Sequence, residues 1–372
     1  MMIKEAQKTL LALLRSALWG CTYNGPSKIE DWTTVFTLAQ QQTVIGLLSD
    51  AMLFLPQEIR PKQIIKYKII PKVAYIQQSH SLLNKKVTEV KRMMDDHHIL
   101  CVLLKGQGVA LNYSNPFSRQ CGDIDLYVGN KHFQKAMDLL EPSVKHNAKK
   151  YAHLKHYNVV SDRAIIEIHR IAEILPGFRE DRMFQQWTEE MLQEGELRKV
   201  EIDNVEVNLP PVDFDVIYIM NHAWQHFMLG GIGLRQLCDW AIFLHKFHQE
   251  IDRQSLEKNL VRFDLMRAWQ MFGSVAVKAL GLPAHECPLY TGKYDDKVEK
   301  ILEVIWSEGN FGMHSKHHKA HRPKGHFAGK LHSFQQYTCR IFRIMSISPK
   351  DVWKSWFYNS MNGISNIFIK RL

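Results

Sequence analysis

Apolar positions recur at helical spacing through roughly the first hundred residues, give way to a period of two, and then return to the helical spacing almost to the end of the chain. Lys4 to Leu18 reads as an amphipathic helix, and a second helix runs from Asp31, as N-cap, toward Leu48. Pro71 is expected to break or start a helix, because its ring removes a backbone donor. After it Val73, Ile76, Leu83, Val87, Val90 and Met94 form the buried stripe of one long helix. Near His98 the pattern changes. "ILCVLLKG" is a short continuous apolar run ending at a glycine, as a buried strand would be, and "GVALNY" makes a short helix after the turn.

In "DIDLYV" the residues Ile124, Leu126 and Val128 fall on one face and Asp123, Asp125 and Tyr127 on the other. A helix over Lys131 to Leu140 follows. The segments "HLKHYNVV" and "AIIEIHRI" then pair as a hairpin, in which Ile165, Glu167 and His169 share a face. A second hairpin, "KVEIDNVEVNL", turns at Asp203–Asn204. Beyond Pro210–Pro211, helices are expected at 212–228, 233–248, 264–280, 294–307, 330–345 and 350–358. The fold class is therefore α+β. A small mixed sheet over residues 96–209 lies between an N-terminal helical region, 1–95, and a C-terminal helical domain, 210–372, that carries a basic, His-rich loop at 314–332.

Composition narrows the class. A chain of 372 residues with 45% hydrophobic and 23% charged residues suits a globular protein of two or three domains. Six cysteines without a CxxC pair suit reduced thiols, and no apolar run is long enough to span a bilayer, so a cytoplasmic location is expected. The net charge of +10 is uneven: His314 to Leu372 holds eleven Lys/Arg and one acid, Asp351. A basic surface of that kind suits a polyanion such as RNA as well as it suits plain solvation.

Two acids at i and i+2 of one strand project side by side, where like charges raise each other's pKa. An isolated D-x-D triplet is common on solvated sheet edges. Here Glu167, an acid between isoleucines on a later strand, offers a third member. Such a trio suits Mg²⁺, one ion or two, in phosphoryl transfer. Upstream, "LLKGQG" ends a buried strand in a glycine turn that opens a helix, where backbone N–H groups and Lys105 suit phosphate; a tight turn alone would also explain Gly106 and Gly108.

"KGQG…RQCGDIDLYV" resembles the nucleotidyltransferase superfamily that includes DNA polymerase β. More narrowly it resembles its bacterial branch of uncharacterised nucleotidyltransferases, and it is similar to the abortive-infection toxin nucleotidyltransferases. The resemblance spans roughly residues 100 to 170. It implies that Lys105, Gly106, Gln107 and Gly108 hold nucleotide phosphates and that Asp123, Asp125 and Glu167 bind Mg²⁺. It further implies that Arg119 contacts phosphate or orients the acids, and that an NTP is the substrate. Gln107 stands where the superfamily usually has serine.

Four further residues, His169, His222, His226 and Arg235, are candidates for the acceptor side of the cleft. His222 and His226 lie one helical turn apart, as do Arg235 and Asp239. Packing histidines and a structural ion pair are the plainer account of both. The histidines at 314, 317, 318, 321, 326 and 332 invite a zinc reading, but no cysteine or acid joins them. The expected function is metal-dependent transfer of NMP from an NTP to a hydroxyl of an unknown acceptor, with release of pyrophosphate. The alternatives are a catalytically degenerate relative of the same fold and a basic helical RNA-binding protein.

Overall fold

Residues 101–128 alternate between two apolar cores, and this alternation sets the plan of the molecule. In a computed structural model describing residues 2–143, 155–161, 164–313 and 326–369, Cys101, Leu103, Ile124, Leu126 and Val128 pack into one cluster. Val102, Leu104 and Tyr127 pack into the other. Strand β1 (Val102–Leu104) runs antiparallel to β2 (Ile124–Tyr127), which runs parallel to β4 (Ala164–His169). Antiparallel to β4 on its far side is β3 (His156–Ser161), giving the order β1-β2-β4-β3. The parallel register sets Asp125 opposite Glu167. A separate hairpin joins β5 (Arg198–Ile202) to β6 (Val205–Leu209), and Asp203 and Asn204 at its turn take φ of 45° and 61°. Both are left-handed values, which Asn and Asp tolerate better than most residues.

Helices flank the sheet on both sides in sequence, so the fold is α+β. The N-terminal helices are α1 (Met2–Trp19), α2 (Trp32–Gln41), α3 (Ile45–Ala51) and α4 (Gln63–Asp96). Within the sheet region lie α5 (Gly106–Ala110), α6 (Gly129–Leu140) and α7 (Phe178–Glu189). The C-terminal set is α8 (Val212–Leu229), α9 (Leu234–Phe247), α10 (Arg253–Arg262), α11 (Met266–Lys278), α12 (Val298–Glu308), α13 (His326–Ile344) and α14 (Pro349–Ile369). Buried residues of α1–α3 and of α8–α12 belong to a single core cluster that also takes in one face of the sheet.

Three expectations are corrected. Helix α2 starts at Asp31, whose carboxylate accepts from the Thr34 amide at 2.9 Å, but it stops at Gln41 rather than continuing toward Leu48. Thr43 there takes a φ of 55°, and buried Gln42 reaches across to accept from the Leu234 amide and donate to the Ile305 carbonyl. Pro71 lies inside α4 instead of bounding it. It is exposed, so the carbonyl that its ring leaves without a donor can turn to water. Residues 326–332, expected within a loop, belong to α13, while 314–325, with the histidines there, lie outside the described residues. All six cysteines are free thiols, and among the described residues no helix is long and apolar enough to cross a membrane.

Candidate active site

At the end of β1 the backbone turns sharply: Lys105 takes a φ of 50° and Gly106 one of 47°. Left-handed geometry is costly for a lysine, and strain of this kind survives only where the surroundings hold it. The turn aims the Lys105 ammonium across the sheet at Asp125 of β2, 3.1 Å from Oδ1. Asp123, just before β2, and Glu167, on the neighbouring β4, complete the group, with one carboxylate oxygen of each of the three acids within 4.8 Å of the others. The period-two pattern of both strands places them there, since Ile124 and Ile166, on the opposite face, are buried.

These groups line a cavity of about 460 Å³ between the sheet and helices α8 and α9. His169, fully enclosed, bridges two of the acids, its Nε2 lying 2.9 Å from Asp125 Oδ1 and 3.4 Å from Glu167 Oε2. Burial alone would push Asp125 upward; Lys105 and His169 outweigh it and hold the carboxyl below its ordinary range. Asp125 and Glu167 in turn overcome the burial of His169 and raise its pKa. Asp123 goes the other way, raised by burial and by the nearby Asp125. The trio is thus only partly neutralised by the protein itself.

Lys105 is held from its other side as well. Its Nζ lies 3.2 Å from His222 Nε2, and His222 Nδ1 donates to Glu173 Oε2 at 2.9 Å. A carboxylate only accepts, so the ring proton sits on Nδ1 and the Nε2 lone pair faces the ammonium. Burial and Lys105 push His222 down to about 3, and His226 to about 4, so both are neutral at ordinary pH. Lys155 pairs with the other oxygen of Glu173 and, with burial opposing, helps keep that carboxylate ionised.

Most of the residues singled out from the sequence line this cavity: Lys105, Gly106, Arg119, Asp123, Asp125, Glu167, His169, His222, His226 and Arg235. Gln107 and Gly108 sit behind the turn and are not among the lining residues. A Cβ on Gly108 would come within 2.6 Å of Leu209 Cδ2, so close packing against β6 accounts for that glycine. Arg119 is clamped to Asp239 by two parallel hydrogen bonds of 2.8 Å, Nε to Oδ1 and Nη2 to Oδ2, and the Tyr113 hydroxyl donates to the same carboxylate. Arg119, not Arg235, is therefore the partner of Asp239. Arg235 donates from Nη1 to the Gln120 carbonyl, and its buried Nε has no partner among the described residues.

Sequence reasoning passed over Glu173, Lys155, His156, Gln225 and Phe311, which also line the cavity. Glu173 alone carried a signal, an acid between Ala172 and Ile174 in an apolar run, as Glu167 is. In total the lining holds five carboxylates against four Lys or Arg side chains, a balance that on its own would repel a polyphosphate. An all-oxygen trio short of positive charge is a donor set that fits a hard divalent cation such as Mg²⁺.

The sequence matches the family described as "Uncharacterised nucleotidyltransferase" over residues 28–281. No curated protein matches it. Among solved structures it is similar to an antigenic nucleotidyltransferase-like protein from Paracoccidioides brasiliensis, at 16% identity and a TM-score of 0.28, over 55% of this chain and 92% of that chain.

Proposed function

We propose that this chain, which belongs to the uncharacterised nucleotidyltransferase family, transfers NMP from an NTP to a hydroxyl group of an acceptor. The observation that carries the proposal is the meeting of Asp123, Asp125 and Glu167 beside Lys105 in one cavity. The three carboxylates would hold divalent metal. When bound, it would supply the positive charge that lets a triphosphate enter and would ease deprotonation of the acceptor hydroxyl.

The protein's own residues do the positioning. Lys105 and the Gly106 backbone meet the phosphates, and Arg235 offers a further cation on the same cavity wall. The acceptor oxygen forms a bond to the α-phosphorus as the bond to the β-phosphate oxygen breaks. Pyrophosphate leaves, and the hydroxyl proton passes to Glu167, which, unlike Asp125, is partly exposed. His169 keeps Asp125 and Glu167 ionised, while Lys155, Gln225, His226 and Phe311 form the wall on the acceptor side. Residues 96–209 are the unit that handles the nucleotide in this reading.

Incubation with α-labelled NTPs, Mg²⁺ and a cell extract tests it. Asp125→Asn is expected to lose at least about a hundredfold in label transfer while keeping the wild-type circular dichroism spectrum. A folded Asp125→Asn protein that transfers label at the wild-type rate would refute the assignment. One observation favours a second reading, nucleotide binding without turnover: Lys105 and His169 already neutralise Asp125. That reading prevails if calorimetry detects Mg²⁺–NTP binding and no acceptor pool yields pyrophosphate.

A further inference from the structure

Away from this cavity, donors of a different kind meet at the C-terminal end of α9. His245 lies in its last turn and His248 caps it, three residues on. After Pro283 the short turn Ala284–Glu286 brings His285 and Glu286 against them. One donor atom from each of His248, His285 and Glu286 lies within 4.8 Å of the other two.

Hydrogen bonds hold two of these donors, His248 and Glu286, in the form that ligation needs. His248 Nδ1 donates to the His245 carbonyl at 2.9 Å, which puts the lone pair on Nε2. His245 Nδ1 donates to Glu286 Oε2 at 2.6 Å, while Oε1 faces His285 Nε2 at 3.8 Å. Glu286 is only 7% exposed, and among the described residues its ion-pair partners are imidazoles alone. A buried carboxylate without a fixed cation is costly. An imidazole fixed through Nδ1, as His248 is, and a carboxylate fixed by an outer hydrogen bond, as Glu286 is, are the usual outer-shell arrangement of metal ligands. Two nitrogens and one oxygen select a first-row transition ion over Mg²⁺ or Ca²⁺.

We infer that His248, His285 and Glu286 form a zinc-class cation site, with His245 orienting Glu286 from behind. Three protein ligands leave a fourth position for water. The site fastens the end of α9 to the 284–286 turn. The His245 ring also packs against Trp19 of α1 at 5.1 Å, and the Trp19 indole donates to the Leu280 carbonyl at 2.7 Å. The ion thus pins a corner where the first helix meets the C-terminal helices, independently of any nucleotide chemistry.

The test adds Zn²⁺ to metal-stripped, full-length protein in excess Mg²⁺ and counts bound zinc in wild type, His248→Ala, His285→Ala and Glu286→Gln. The His285 side chain is 77% exposed, so its replacement leaves the fold intact. Wild type is expected to bind one more equivalent of zinc than each variant. Histidines elsewhere, those of 314–332 included, are common to all four proteins and cancel in the difference. Equal zinc equivalents in wild type and in a folded His285→Ala protein overturn the site.

Discussion

Lys105 stands between two carboxylates that it touches differently: Asp125 directly, and Glu173 through the ring of His222. An ammonium on a four-carbon stem has many rotamers, and a partner on each side removes most of them. Glu173 bonds to Lys155 and His222 and is not one of the three clustered acids, so its part in the reaction is to position. Glu173→Gln keeps the shape but weakens the grip on the His222 tautomer, and Lys105 loses its fixed direction. The variant is expected to lower kcat by as much as about a hundredfold, since misplacements near 1 Å cost that much, with the KM for NTP little changed. A kcat equal to that of the wild type would remove Glu173 from the machinery. The three acids were legible in the sequence because each interrupts an apolar pattern of period two. The Glu173–His222 link was not, because it joins residues of β4's exit and α8 that meet only once the helices close over the sheet. The pairing of Arg119, for which the resemblance implied contact with phosphate or with the acids, was hidden for a related reason: only tertiary packing delivers it to Asp239.

Elements set where these side chains stand, and one close contact shows how tightly. Gly46 of α3 packs on the turn Pro116–Ser118, so that a Cβ there would lie 2.0 Å from the Ser118 carbonyl oxygen. Backbone cannot yield as a side-chain tip can. Gly46→Ala is expected to cost about 1–3 kcal/mol of stability, as overpacking usually does, and to displace the segment leading into Arg119 and Asp123. Urea unfolding together with the KM for NTP measures both effects; a wild-type unfolding midpoint would show that the two elements slide apart freely. Strands, the Asp203–Asn204 turn and most C-terminal helices could be read in advance, because period and turn chemistry are local. The early stop of α2 could not, since it depends on Gln42 bonding to α9 and α12. Helix α10 was overlooked although its start was written in the sequence: Asp252 accepts from the amides of Gln254 and Ser255.

Across the whole molecule, the basic C-terminal segment proves to be less free than its charge count suggests. Arg340 pairs with buried Glu308 of α12 and also donates to the Phe227 and Met228 carbonyls at the end of α8. Arg343 lies 3.9 Å from the same glutamate, and Lys354 reaches Asp264 and Glu180. Asp351, the segment's single acid, is bound by Arg267. Helices α13 and α14 therefore join the body through ion pairs to α7, α11, α12 and Asp264, and through hydrogen bonds to the end of α8, the helix that carries His222 and His226. Deleting 314–372 would strip partners from Glu308 and Arg267, so a loss of RNA or NTP binding on deletion would report damage to the fold before it reported a lost binding surface. A single substitution separates these effects. Arg340→Met leaves Glu308 buried without its close partner, and breaking a buried pair in that way costs about 3–5 kcal/mol. The urea midpoint is expected to fall accordingly, and NTP affinity at low denaturant to stay near that of the wild type. A variant as stable as the wild type would mean that Arg343 alone suffices for Glu308 and that the segment is held on more loosely than these contacts imply.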